Sequence, residues 1–72
     1  MNFMFKVYVG DPKQLLYTTY ILDDAIRKYF IHTKEGSVIE IWKDDRYIGE
    51  YNLNRYELKT IKNDIECIIA VV

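Results

Sequence analysis

The stretch that decides the fold is "IWKDDRYIGEY", residues 41–51, which has the pattern of a β-hairpin. Runs of β-branched and aromatic residues flank Asp44-Asp45, and aspartate tolerates the positive φ that a two-residue hairpin turn requires. A turn at this point places Trp42 opposite Tyr47, and therefore on the same face of the hairpin. The other pairs that this register predicts are Ile41 with Ile48 and Val38 with Tyr51.

Upstream of this hairpin, the sequence predicts another hairpin followed by a helix. "FMFKVYV", residues 3–9, alternates with period two, and a second β-rich run covers residues 16–21. Apolar residues at i, i+1, i+4 and i+5 from Ala25 form one stripe of a helix. Asp23 is the expected N-cap of that helix, and Gly36 supplies the expected left-handed stop.

Downstream of the hairpin, the sequence predicts a short helical turn and a last strand. Asn54 and Glu57 have the spacing of a capping box, which favours a helical turn near residues 55–60. The run "IECIIAVV", residues 65–72, is nearly continuous in apolar residues, which is typical of a strand buried on both faces. No internal repeat is visible. The predicted fold is therefore one α+β domain over residues 1–72, with a small, mostly antiparallel sheet and one main helix packed on one face.

Size and composition exclude several classes of protein. A chain of 72 residues makes one domain with a thin margin of stability. Its 10 basic and 11 acidic residues nearly balance, which argues against strong general attraction to phosphate backbones. One cysteine allows no internal disulfide, and one histidine excludes the usual Cys/His zinc sites. A free thiol with no targeting or membrane-spanning segment favours the cytoplasm, that of the host cell if a phage encodes the chain.

No catalytic, metal or cofactor signature is present. The pair Asp23-Asp24 fits a helix start, and the pair at 44–45 fits a turn, so neither predicts a metal site. Cys67 with His32 as base could form a nucleophile, but Cys67 lies in the predicted buried strand, where a thiol is inert. We therefore expect no enzymatic activity.

The aromatic residues suggest a binding surface. Tyrosine occurs seven times, and tyrosine and tryptophan are enriched at protein interfaces. If the helix covers one face of the sheet, pleating places a mixed aromatic and charged set on the other. The rings of this set can pack on each other, or they can form a partner site or a homodimer face. We favour the partner site because the domain is so small. The predicted partner-binding residues are Lys6, Tyr8, Glu40, Trp42, Tyr47 and Tyr51.

A hairpin that runs into the helix "LDDAIRKYF" and then into a second hairpin is similar to many short accessory proteins of phages and mobile elements. The resemblance is generic and assigns no functional residue. The lack of a catalytic signature, the single small domain and the aromatic face favour a non-enzymatic protein-binding module, encoded by a phage or mobile element, that inhibits or modulates a host or defence protein. The alternatives are a nucleic-acid-binding accessory protein and a self-associating structural protein.

Overall fold

The structure is a computed structural model that describes residues 3–52 and 57–71. Its strands and helices follow one another in the order strand, strand, helix, strand, strand, helix. They are β1 (Phe3–Val9), β2 (Gln14–Thr19), α1 (Leu22–Ile31), a 3₁₀ turn (Thr33–Glu35), β3 (Val38–Lys43), β4 (Arg46–Tyr51) and α2 (Leu58–Ala70).

The four strands form one antiparallel sheet in the order β2-β1-β3-β4. The two central strands, β1 and β3, pair with Lys6 opposite Glu40. Strands β2 and β4 form the two edges of the sheet. The prediction of an α+β domain with an antiparallel sheet and a helix packed on it is confirmed.

The two hairpins have the same pairing pattern, which the sequence does not reveal. Counting from the turn, each hairpin has two pairs, then one extra residue in the outer strand, then three pairs. The extra residue is Leu16 in β2 and Ile48 in β4, so each outer strand carries a β-bulge at the same place. We call β1, β2 and α1 the first unit, and β3, β4 and α2 the second. Four pairs of equivalent positions matter below: Tyr8 and Trp42, Leu15 and Tyr47, Thr18 and Glu50, and Thr19 and Tyr51.

The core lies between one face of the sheet and both helices. The strands contribute alternate residues, as the pleat requires, and each helix contributes one buried stripe. Ser37 ties the end of α1 to the sheet, because its buried hydroxyl donates a hydrogen bond of 2.7 Å to the carbonyl oxygen of Tyr29. The buried core residues are Phe5, Val7, Ala25, Ile26, Tyr29, Ile39, Ile41, Tyr51, Ile61 and Ile65.

The predicted C-terminal strand is wrong, because this segment is the helix α2. Ile61 and Ile65, four residues apart, are fully buried, and Ile68 and Ile69 extend their stripe by about one further turn. A window that begins at residue 65 omits Ile61 and therefore hides the helical period. β-propensity is a weak preference, and an apolar helical face that can reach a core overrides it. Cys67 accordingly lies on the exposed side of α2 and not in a buried strand.

The remaining expectations differ in smaller ways. The second strand is Gln14–Thr19 and not 16–21, so it begins and ends two residues earlier than predicted. Helix α1 begins at Leu22, so Asp23 lies in its first turn and is not the N-cap. Gly36 has the predicted left-handed conformation, with φ 79°, but it ends the 3₁₀ turn, whereas α1 itself ends at Ile31. The capping box involving Asn54 and the first part of the helical turn near 55–60 lie outside the described residues.

Candidate protein-binding face

The sheet has a second face, turned away from both helices, which we call the open face. Each strand contributes to it the residues that pleating and the register point away from the core. They are Met4, Lys6, Tyr8, Leu15, Thr18, Val38, Glu40, Trp42, Tyr47 and Glu50. Five of the six residues predicted to bind a partner lie on this face.

Trp42 contacts three other residues of the open face. Tyr47, its partner across the turn, meets the indole edge to face with ring centroids 5.7 Å apart, and Lys6 places its ammonium nitrogen 4.3 Å from the ring centroid. The indole Nε1 donates a hydrogen bond of 3.1 Å to Glu40 Oε1. These three contacts hold the half-buried indole in one orientation.

A charged bridge runs beside the aromatic pair. Glu40 and Glu50 lie directly opposite one another on β3 and β4, and two carboxylates in that position repel. Lys13, from the turn between β1 and β2, places its Nζ 3.4 Å from Glu40 and 3.7 Å from Glu50. The same ammonium lies 5.2 Å from the ring centroid of Tyr8. One lysine of the first unit therefore offsets the repulsion between two glutamates of the second.

The two tyrosines of the open face favour their protonated form. The pKa of Tyr8 is raised above its ordinary value of 10.0, first by burial and then by the negative charge and hydrogen bond of Glu40. The pKa of Tyr47 is also raised, first by burial and then by its hydrogen bond to Glu50, which measures 3.2 Å. For Lys13, desolvation lowers the pKa, but Glu50 and Glu40 together raise it above 10.5. At neutral pH the hydroxyls of Tyr8 and Tyr47 are thus protonated and Lys13 carries its positive charge.

Tyr51 does not belong to this face, so that part of the prediction is wrong. Its side chain is in the core, 3% exposed, on the side of the helices. The ring meets Tyr29 of α1 edge to face at 5.6 Å, and the hydroxyl donates a hydrogen bond of 2.9 Å to Asp64 of α2. Tyr51 therefore joins the second hairpin to both helices and is unavailable to a partner.

The cause is the β-bulge in β4. Trp42 is opposite Tyr47 as predicted, but beyond the bulge Ile41 is opposite Gly49 and Ile39 is opposite Tyr51. One extra residue reverses the facing of everything that follows it in the strand. Residues 47 and 51 therefore point to opposite faces although they are four positions apart.

Sequence reasoning missed two members of the site, Lys13 and Glu50. A signal for Glu50 was available, because an unbroken alternation would have turned this carboxylate into the core. Gly49 is a second signal, since a glycine inside a strand often marks a bulge. No comparable signal exists for Lys13, because its contacts depend on how a turn folds back over the sheet.

The other candidate residues are dispersed. Asp44 and Asp45 form the turn with φ 49° and 67°, and Asp23 forms an ion pair of 3.1 Å with Lys62 of α2. His32 contacts Glu35 at 3.0 Å. Within residues 3–52 and 57–71, no three His, Cys, Asp or Glu side chains come together in an arrangement that could hold a metal ion. Neither helix in these ranges has the length and apolar character needed to cross a membrane.

Comparison with family models, curated proteins and solved structures found no match for this chain. Its function is therefore inferred from the geometry described above.

Proposed function

We propose that this chain is a non-enzymatic protein-binding module and that it binds its partner with the open face of the sheet. In a phage or mobile element, such a module would inhibit or modulate a host or defence protein. The observation that carries the proposal is the fixed cluster of Trp42, Tyr47 and Lys6, in which an indole, a phenol and an ammonium group hold one another in place. Tryptophan and tyrosine are the residues most enriched among those that dominate interface energetics.

Preorganisation supports a binding role for this cluster. Binding costs about 0.5–1.5 kcal/mol for each flexible side chain that becomes immobilised. The indole of Trp42 is already held by Glu40, and the hydroxyl of Tyr47, whose side chain is 51% exposed, is already held by Glu50. A partner would therefore meet an apolar surface with polar edges. Its side chains are already ordered in the folded chain, so binding would not carry the cost of immobilising them.

The pairing of charges favours a protein over a nucleic acid as the partner. Nucleic-acid sites present lysine and arginine groups to phosphates. On this face Lys13 is engaged by two carboxylates, and Lys6 stands opposite Glu40. A surface in which positive and negative groups alternate around aromatic rings matches the polar rim and aromatic centre of a protein interface.

Affinity capture from the organism that encodes the chain tests this proposal, with quantitative mass spectrometry of the captured proteins. The parent is compared with Trp42→Ala and Tyr47→Ala. Ile31→Ala is the control, because Ile31 is an apolar residue that is 66% exposed at the end of α1, on the side of the sheet opposite the open face. We expect at least one protein that the parent and Ile31→Ala retain and that both aromatic variants lose.

The captured protein is then purified and titrated against the same variants. We expect Tyr47→Ala or Trp42→Ala to weaken binding by about 2 kcal/mol, which is roughly 30-fold, if that residue is a hot spot. Unchanged far-UV circular dichroism verifies that each variant is folded. Equal affinity of all four proteins for every captured partner would contradict the proposal, and binding of a random DNA or RNA duplex that weakens steeply with salt would favour the nucleic-acid alternative.

A further inference from the structure

The two helices leave a cleft between them, on the side of the sheet opposite the open face. Its volume is about 300 Å³, and it is lined from α1 by Asp23, Ile26 and Arg27 and from α2 by Leu58, Lys59 and Lys62. The lining side chains carry three positive charges and one negative charge, whereas the whole chain has a formal net charge of -1. Positive charge is therefore concentrated at this cleft.

Two of the three cations have no carboxylate partner. Lys62 forms an ion pair of 3.1 Å with Asp23, which uses the only negative charge of the lining. In the part of the chain that the structure describes, Arg27 of α1 and Lys59 of α2 form no ion pair and lie over no aromatic ring. The fold thus brings two like charges, one from each helix, to the same cleft without a neutralising group.

The position of Lys59 adds to the positive potential of the cleft. This residue lies in the first turn of α2, where the helix dipole is positive and favours acidic side chains. The turn has no acidic residue, and the side chain of the N-cap, Glu57, makes no capping hydrogen bond. A lysine at this end lowers the stability of the helix slightly, and an anion bound in the cleft would offset that loss.

We propose that this cleft binds one acidic side chain of a protein partner together with an apolar side chain next to it. Both arginine and lysine donate charge-assisted hydrogen bonds to carboxylates, and a guanidinium presents two parallel N–H groups to them. Leu58, which is 44% exposed, supplies an apolar contact beside the two cations. A cleft of about 300 Å³ is at the lower end of the range for small-molecule sites, which suits one or two side chains better than a whole cofactor.

The carboxylates at the cleft favour a peptide over a nucleic acid. Duplex DNA carries one negative charge for about every 1.7 Å of its axis, so a duplex laid along the cleft would bring its phosphates close to these carboxylates. Asp23 is part of the lining, and the exposed Glu57 directly precedes Leu58. A single carboxylate requires only the two unpaired cations, and it enters where the lining has an excess of positive charge.

A titration with a short peptide tests the proposal. The probe is acetyl-Leu-Glu-Leu-amide and the control peptide is acetyl-Leu-Gln-Leu-amide, each added to the full isotope-labelled chain while its backbone amide NMR signals are followed. We expect the glutamate peptide to shift the signals of residues 23–27 and 58–62. Its dissociation constant should be at least about threefold lower than that of the glutamine peptide, and it should rise with salt.

Variants at exposed positions, which retain the fold, make the result specific. Arg27→Gln and Lys59→Gln should each raise the dissociation constant of the glutamate peptide about two- to fivefold, and the two together about tenfold. Lys34→Gln is the matched control, because it removes the same charge from an exposed position outside the cleft, and it should leave binding unchanged. Leu58→Ala should weaken both peptides alike, since it removes an apolar contact and no charge.

Several outcomes would overturn the proposal. They are an absence of shifts up to about 10 mM peptide, equal affinity for the two peptides, and an equal loss in Lys34→Gln and Arg27→Gln. Inorganic phosphate that binds the cleft as tightly as the glutamate peptide would indicate a site for free anions instead. A random DNA duplex that binds there more tightly, with a steep salt dependence, would indicate a nucleic-acid site. Trp42→Ala and Tyr47→Ala lie on the other side of the sheet and should not alter this titration, so the cleft and the open face are tested independently.

Discussion

The two units have one backbone plan and divide its tasks between them. In the second unit, the open face holds Trp42 and Tyr47, and Tyr51 enters the core. At the equivalent places the first unit has Tyr8, Leu15 and Thr19. The same pairing and bulge thus support an outer strand β4 with aromatic and charged side chains in the second unit, and an outer strand β2 without charged residues in the first. The position of a residue in the sheet decides whether its side chain points to the core or to the open face. The type of side chain then decides which contacts it makes there.

The largest expected difference between the units is in core stability. Tyr51→Ala removes a buried ring together with its contacts to both helices, and we expect it to lower the free energy of unfolding by about 3–5 kcal/mol. Thr19→Ala, at the equivalent position, removes the hydroxyl that accepts a hydrogen bond from the backbone of Ile21, and should cost about 1 kcal/mol. Urea denaturation measures both. Equal losses would mean that the two positions contribute alike and that the comparison is wrong.

Helix α2 provides the next test, because it replaces the predicted strand. Ile65→Ala should cost about 2–5 kcal/mol, since Ile65 is fully buried, whereas Cys67→Ala, two residues away, should change stability by less than about 0.5 kcal/mol. A thiol reagent should label Cys67 in the native protein without prior unfolding. Labelling that requires denaturant would contradict the exposed position of Cys67 on α2.

How much the sequence predicts depends on whether the signal is local. The turn at Asp44-Asp45 and the pair of Trp42 with Tyr47 are confirmed, because turn chemistry and one cross-strand pair decide them. The side on which Tyr51 lies could not be obtained in this way, since a single bulge between the turn and that residue reverses it. The shared pairing pattern of the two hairpins is hidden for a related reason, because only the pairing positions correspond and the residues at those positions differ.

A smaller difference is expected on the open face, where Trp42 and Tyr8 are equivalent. Trp42→Ala removes a half-buried ring and its edge-to-face contact with Tyr47, and we expect it to cost about 1–3 kcal/mol. Tyr8→Ala should cost less, about 1 kcal/mol, because the Lys13 ammonium lies 5.2 Å from the ring of Tyr8, whereas the Lys6 ammonium lies 4.3 Å from the ring of Trp42. Thermal melts of both variants measure the difference. If Trp42→Ala unfolds the chain as completely as Tyr51→Ala does, the indole belongs to the core and not to a binding surface.

The smallest effect concerns Glu50 of the second unit, which has Thr18 as its equivalent in the first. The pKa of Tyr47 is above 10.0 because of burial first and then because of Glu50. A raised pKa means that the folded state favours the protonated phenol, so this contribution to stability is present below about pH 10 and is lost as pH rises through the raised pKa. In Glu50→Gln, an NMR titration of the tyrosine rings should show the pKa of Tyr47 moving down toward 10.0 without reaching it, because burial remains. The alkaline loss of stability should begin at correspondingly lower pH. A Tyr47 pKa that does not change in this variant would mean that Glu50 does not hold the phenol, and that the aromatic pair owes its position to Trp42 alone.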